Sequence, residues 1–253
     1  MHIDLTNKAI LVTGASRGIG KAIARQLLVS GAQVMAHYHR NPVSFDDLDK
    51  EEQGRLFSCQ ADLADPGQTT RLFDQTLNQF GQLDVLINNA GIALASPLTE
   101  ADEDFLQKWQ ATMAVNLQAV ALLCRLAVWQ WTKSGQPGII INMASRAAFR
   151  GDTADYLAYA ASKGGVVALT RSLARAYGKQ NIVAFTIAPG FVSTDMAADF
   201  IKDYGEDYVK NDIALPELTR PQDLAPLITL LASGLANHAT GATFDINAGS
   251  YVH

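Results

Sequence analysis

Seven short apolar runs alternating with helical segments predict a doubly wound α/β fold: a three-layer sandwich around a mostly parallel seven-stranded sheet. Two features support this. The strand candidates are apolar at successive positions, as in Ala9-Ile-Leu-Val12 and Ile139-Ile-Ile141, so both faces of the sheet need cover. A glycine-rich turn separates the first such run from a helix with apolar residues at Ile19, Ala22, Ile23 and Leu27, the spacing of one helical face.

Taken in order, residues 8–13 give the first strand, and its helix stops at Gly31. Residues 33–37 form strand two, 46–53 a short helix and 55–59 strand three. Asp65-Pro66 caps and starts the next helix, and Gly81 closes it. Strand four covers 85–88. A long helical segment follows over 99–133, with Thr99 and Asp102 at capping-box spacing. Strand five is 138–142. The helix after it runs to about Tyr177 with Val166, Leu169, Thr170 and Leu173 facing inward. Strand six (181–187), a helix at 221–233 and a strand at 243–246 complete the chain. No linker rich in Pro, Gly or Ser divides it, so residues 1–253 are expected to form one domain.

Composition narrows the function. A net charge of −5 provides no basic footprint for nucleic acid or an anionic membrane. The apolar stretch 224–235 is too short to span a bilayer, and the first eight residues lack the charged start and apolar core of a secretory leader. Cys59 and Cys124 read as small buried hydrophobes in a reducing cytoplasm. The five histidines show no metal-ligand spacing, so no metal site is expected.

Two motifs carry chemistry. In Thr13-Gly14-Ala15-Ser16-Arg17-Gly18-Ile19-Gly20 the glycines let a pyrophosphate approach backbone N–H groups at a helix N-terminus. Tyr159 and Lys163 lie four residues apart on one helical face, where a fixed ammonium favours the phenolate and lowers the tyrosine pKa. A phenol so tuned is a general acid/base.

These motifs, together with Asp62 and Leu63, Asn88-Asn89-Ala90-Gly91, Asn116 between Val115 and Leu117, Ser145, and Pro189-Gly190 with Val192 and Thr194, make the chain resemble the short-chain dehydrogenase/reductase family over almost its full length. The resemblance implies a Rossmann-type domain that exchanges hydride between a nicotinamide cofactor and a ketone or aldehyde/alcohol pair. It implies a catalytic tetrad of Asn116, Ser145, Tyr159 and Lys163, with Asn116 keeping a water beside Lys163 through its side chain or backbone. It also implies that Asp62, Leu63, Asn89, Ala90 and Gly91 line the adenosine side of the cofactor, and that Ile187, Pro189, Gly190, Val192 and Thr194 lie along the nicotinamide. Asn88 reads as structural. The family places a substrate lid at residues 194–216 and is often oligomeric, so a tetramer or dimer is expected. Gly164 and Gly165 would serve either a subunit contact or packing on the sheet.

Family members that use NAD(H) usually end strand two with an acid that binds the adenosine ribose. Tyr38 holds that position here, followed by His39 and Arg40, and Arg17 stands in the glycine loop. Two cations suited to a 2′-phosphate favour NADP(H), with NAD(H) still possible, unless Arg40 turns to solvent.

The chain departs from the family pattern between Ser145 and Tyr159, where one extra residue is expected to bulge the loop. Arg146 and Arg150 in that loop either attract an anionic substrate or lie solvated. Tyr156 reads as packing or a pocket wall, and Trp129 and Trp131 as core or subunit-interface residues. The resemblance runs toward 3-oxoacyl-carrier-protein reductases and carbonyl reductases. Gln136 and Gln180 replace the docking arginines of the former, which argues against a dedicated fatty-acid role. A dinucleotide-sensing regulator on the same fold would have no use for Tyr159, Lys163 and Ser145 together. A sugar-nucleotide epimerase would need a longer C-terminal region.

Overall fold

The computed structural model describes residues 3–194, 205 and 211–252. Among the described residues, seven strands form one sheet in the order β3-β2-β1-β4-β5-β6-β7. They are β1 (Ala9–Val12), β2 (Gln33–Tyr38), β3 (Leu56–Gln60), β4 (Val85–Asn88), β5 (Gly138–Met143), β6 (Ile182–Pro189) and β7 (Thr243–Ile246). Every neighbouring pair is parallel. The order reverses between β1 and β4, and the chain leaves these two adjacent strands in opposite directions across the sheet, which opens a crevice at their carboxyl ends.

Alternation along each strand explains the continuous apolar runs. Ile10 and Val12 join Val34, Ile87 and Phe185 on one face, under Ile23 and Leu27 of α1 (Gly18–Val29) and Ile228 and Leu231 of α8 (Pro221–Ser233). Leu11, Leu86 and Ile140 face the other way, against α3 (Pro66–Phe80), α5 (Ala119–Ser134) and α7 (Leu157–Tyr177) through Leu72, Leu123 and Val166. Both faces are dry, so neither can carry the polar alternation of a half-exposed strand.

The helix ends test the local chemistry. Asp65 accepts hydrogen bonds from the Gly67 and Gln68 N–H groups, and Gly81 ends α3 in a left-handed conformation, as expected. The short helix α2 (Lys50–Gly54) begins later than expected because the capping box forms between Asp49 and Glu52. The Thr99–Asp102 box does not form. Instead α4 (Asp102–Met113) starts after Ala101 without a side-chain cap, and Asp102, Glu103 and Asp104 sit in its first turn, where acids complement the helix dipole.

The long helical segment is also not continuous: a π turn, Ala114–Gln118, joins α4 to α5. Asp102–Ser134 is the one segment among the described residues long and apolar enough to cross a membrane by length and composition, and it is longer than the 224–235 stretch. Its apolar side packs into the core through Leu123, Cys124, Ala127 and Trp131. Trp131 is fully buried and donates its indole N–H to the Leu83 carbonyl at 2.6 Å, whereas Trp129 is 59% exposed.

Candidate active site

The carboxyl ends of β1, β4, β5 and β6 and the first turns of α1 and α7 surround a cleft of about 380 Å³. The loop after β1 lies at its mouth. Gly14 and Gly18 have φ of +66° and +54°, conformations that L side chains rarely adopt. A Cβ on Gly20 would lie 2.1 Å from the Gly14 carbonyl oxygen and 2.4 Å from the Asn89 amide nitrogen, so helix and loop close only around glycine.

Two polar side chains fasten this loop across the crevice. Thr13 Oγ1 accepts the N–H groups of Asn89 at 2.9 Å and Ala90 at 3.0 Å, and Asn89 Nδ2 donates to the carbonyls of Thr13 at 2.8 Å and Gly14 at 3.1 Å. The Asn89 side-chain amide therefore shapes the glycine loop as well as lining the cleft. From the other side, His37 Nδ1 accepts the Gly14 N–H at 3.0 Å. Asn88 is structural, as expected. Its amide donates to Asn142, whose own amide donates to Thr170, in a buried polar ladder beneath the site.

Helix α7 brings Tyr159 and Lys163 into the cleft, and the one-turn helix α6 (Ala147–Arg150) presents Ser145 opposite them. Ser145 Oγ accepts the Ala147 N–H at 3.1 Å and shares a hydrogen bond with the Tyr159 hydroxyl. Lys163 is 4% exposed. Its Nζ donates to the Met143 carbonyl at 2.8 Å and stands 5.6 Å from the Tyr159 ring centroid.

The electrostatics differ from the expected tuning. Burial pushes the Tyr159 phenol up to about 12, the Ser145 hydrogen bond opposes the rise, and the nearby Asp152 charge adds to it. Burial also pulls Lys163 down to about 8. Desolvation thus sets the direction of both shifts, and Tyr159 is a protonated phenol at neutral pH.

Asn116 lies in the π turn and is fully buried behind the cleft. Its side chain pairs with one backbone unit: Oδ1 accepts the Ile92 N–H at 2.9 Å and Nδ2 donates to the Ile92 carbonyl at 2.8 Å. The same amide reaches Ser162 Oγ at 3.1 Å, and Ser162 donates to the Tyr159 carbonyl at 2.7 Å. Ser162 and His37 were not marked by any motif, because each acts through backbone groups brought near by the fold. Gly165 faces Leu117 of the π turn, where a Cβ would come within 2.8 Å. It therefore serves packing within this chain.

Ile19, Gly91, Pro189, Gly190, Val192 and Thr194 line the cleft, and Tyr156 forms part of its wall. The Ala90 backbone contacts Gly14, and Gly18 abuts Thr194. Ile187 and Leu63 do not present side chains there. Ile187 is fully buried under α1 and α8, and Leu63 packs with the α3 core, because strand and loop alternation turns them inward. Asp62 and His39 lie outside the cleft beyond β2 and β3, with His39 Nε2 3.9 Å from the Asp62 carboxylate. Ser16 lies in the loop, and Arg17 and Arg40 are exposed.

Arg146 is buried, whereas Arg150 stays exposed at the surface, and one acid engages both. Both contact Asp212, at 2.5 Å and 2.9 Å, and Arg146 stacks over Phe191 at 4.5 Å. Most of the expected lid segment lies outside the described residues.

A parallel doubly wound sheet with a glycine loop at its reversal point and a Ser, Tyr and Lys in one cleft defines an α/β oxidoreductase of the dinucleotide-binding class. Residues 14–251 match the family model described as enoyl-(acyl carrier protein) reductase. The chain is 34% identical over 248 residues to a 3-oxoacyl-acyl-carrier-protein reductase of Staphylococcus aureus, covering 97% of this chain and 98% of the relative. It is 33% identical to 3beta-hydroxysteroid dehydrogenase 1 of Eggerthella lenta, covering 98% and 95%. The crystal structure of a short-chain type dehydrogenase/reductase from Mycobacterium marinum superimposes with a TM-score of 0.88 at 28% identity, covering 99% of this chain and 98% of that one. The chain belongs to the short-chain dehydrogenase/reductase family and is an oxidoreductase of alcohol and carbonyl groups.

Proposed function

We propose that the protein is an NADP(H)-dependent carbonyl reductase or alcohol dehydrogenase with Tyr159 as its general acid/base. The observation that carries this reading is the hydrogen-bonded Ser145–Tyr159 pair facing a cleft whose opposite wall is the glycine-loop helix. The residues present fit a dinucleotide. The loop is free of Cβ atoms where a pyrophosphate would approach, and Gly91, Pro189, Gly190, Val192 and Thr194 form a strip along the cleft for the nicotinamide half. When bound, that cofactor supplies or accepts the hydride.

The chain's own residues handle the proton and the developing charge. Ser145 Oγ accepts the Ala147 N–H, so its hydroxyl hydrogen is left to donate to a carbonyl oxygen. Tyr159, kept protonated by burial, gives that oxygen its proton. Lys163 stabilises the phenolate left behind and, within reach of the cleft, holds the ribose hydroxyls. Because the Asn116 side chain is committed to Ile92 and Ser162, any relay water is held by its main-chain carbonyl.

At the adenosine end, Tyr38 places no carboxylate at the tip of β2, and Arg17 and Arg40 are the cations offered to a 2′-phosphate. The substrate is a small carbonyl compound rather than a carrier-protein thioester. Gln136 and Gln180 flank the end of α5, bonded to Ser134 and Thr132, and give an acidic carrier no positive charge. Two buried free thiols suit a cytoplasmic enzyme, and exposed Trp129 and Leu106 on α5 and α4 suit a homo-oligomer.

A panel of ketones and aldehydes tests this reading, with NADPH against NADH and wild type against Tyr159→Phe. NADPH should give the higher kcat/KM, and the variant should lose turnover while still binding cofactor. Binding without turnover of any carbonyl would favour a dinucleotide sensor.

A further inference from the structure

His37 ends the buried part of β2 directly beneath the glycine loop and is 2% exposed. Its ring bridges two loops. Nδ1 lies 3.0 Å from the Gly14 backbone nitrogen, and Nε2 lies 3.0 Å from the Ala61 carbonyl oxygen, the residue before Asp62. Both partners are backbone groups with fixed roles: an N–H can only donate and a C=O can only accept. The fixed roles of these two partners assign the ring as neutral with its proton on Nε2. The His37 main chain extends the grip, because its carbonyl accepts the Ala15 N–H at 2.8 Å. Two successive amides of the glycine loop are thus tied to one residue, and the Asp62 loop is tied to its other side.

We infer that His37 is a positioning residue for the dinucleotide, and that protonating its ring breaks the Gly14 contact and weakens cofactor binding. The inference rests on the reading of the cleft as a dinucleotide site. In the imidazolium both nitrogens donate, so Nδ1–H would point at the Gly14 N–H across a hydrogen-bond distance. Gly14 would then have to turn away. Its carbonyl is held by Asn89 and packs 2.1 Å from where a Gly20 Cβ would lie, so its rotation disturbs the loop at the helix entrance.

The surroundings favour the neutral ring. Burial lowers the His37 pKa, with the Ala61 hydrogen bond opposing, His39 at the end of the same strand lowering it further and Asp62 in the neighbouring loop raising it. The residues that face the ring from the glycine loop, Gly14 and Ala15, carry no titratable group, nor does Thr13 at the end of β1.

The test has two parts. In the chain without cofactor, nitrogen-detected imidazole NMR should show the Nε2–H tautomer persisting below pH 6.5, the ordinary histidine value. An Nδ1–H tautomer or an unshifted titration would overturn the inference whatever the cofactor does. Dissociation constants for NADPH are then measured between pH 5 and pH 8 by its fluorescence, for wild type, His37→Gln and His37→Leu. Glutamine can accept from Gly14 with its carbonyl and donate to Ala61 with its amide, so His37→Gln should bind near the wild-type level at neutral pH and lose the acid-side weakening. His37→Leu strands both backbone groups and should bind roughly tenfold or more weakly at every pH, with kcat at saturating cofactor retained. Identical pH dependence in wild type and His37→Gln would reject the switch, and wild-type affinity in His37→Leu would reject the positioning role. No NADPH binding by folded wild type at any pH would instead reject the underlying reading of the cleft.

Discussion

At Tyr159 the expected and observed electrostatics part company, and the difference has a kinetic signature. Four-residue spacing places the two groups together, but only the folded environment says that both are desolvated, which raises the phenol to about 12 and lowers the ammonium to about 8. Tyr159 therefore remains a proton donor through the neutral range. The titrating partner is Lys163, which is cationic below about 8 and neutral above it, so its stabilisation of the phenolate is present on the acid side and lost as pH rises. Carbonyl reduction should fall through pH 8, and kcat measured from pH 6 to 10 with a fixed substrate reads it directly. A flat profile there would remove Lys163 from the proton-transfer step. Tyr159→Phe should lower kcat by roughly 10²–10⁴-fold, the usual contribution of a placed general acid, with cofactor binding retained.

The residue positions were legible because each belongs to a local pattern. Tyr159 and Lys163 share a helix face, and Gly14, Gly18 and Gly20 mark a turn between strand and helix. What the pattern could not supply was the partner of each group. Arg146 and Arg150 look like free loop cations until the fold brings in Asp212 from 62 residues further along. The Asn116 amide looks ready for a water until Ile92 occupies it. His37 carries no signal in the sequence, since its two partners are backbone groups with no signature of their own.

Among the elements, strands and capped helices followed from periodicity and end chemistry, while the π turn at Ala114–Gln118 did not. A single π turn leaves the hydrophobic period on either side almost unchanged, so nothing in residue type announces it. Its position is set by tertiary bonds, with Asn116 clamped to Ile92 and Leu117 seated on Gly165. The glycine loop gives the sharper test at this scale. Gly20→Ala puts a methyl within 2.1 Å of the Gly14 carbonyl, and neither α1 nor the latched loop can yield cheaply. The variant should lose measurable NADPH affinity and destabilise the fold by about 1–3 kcal/mol, the cost of an overpacked site. Isothermal titration and urea denaturation report the two effects separately. Unchanged affinity would mean that the loop does not hold the phosphates.

For the molecule as a whole, three buried groups, Lys163, Tyr159 and Cys124, tie stability to pH in the alkaline range. The Lys163 pKa falls from 10.5 unfolded to about 8 folded, so between those values the unfolded chain binds more protons and stability rises with pH. The Cys124 pKa rises from 9.0 and the Tyr159 pKa from 10.0, each to about 12, so above pH 9 and pH 10 respectively the folded chain keeps protons that the unfolded chain loses, and each group lowers stability. The urea midpoint should therefore climb from pH 8 toward 9, level off where Lys163 and Cys124 oppose each other, and decline above pH 10. Lys163→Met should abolish the climb while leaving the decline.

The Asp212 brace has an asymmetry of its own. One carboxylate serves two guanidinium groups, so removing either arginine leaves a complete ion pair, whereas removing the carboxylate leaves two like charges beside Ser145 with Asp152 as their remaining counterion in the cleft. The pocket is thus electrically quiet by subtraction. Its charge balance depends on a single acid contributed from outside the catalytic helix and loop, and a change at position 212 alone should favour carboxylate-bearing substrates in the same cleft.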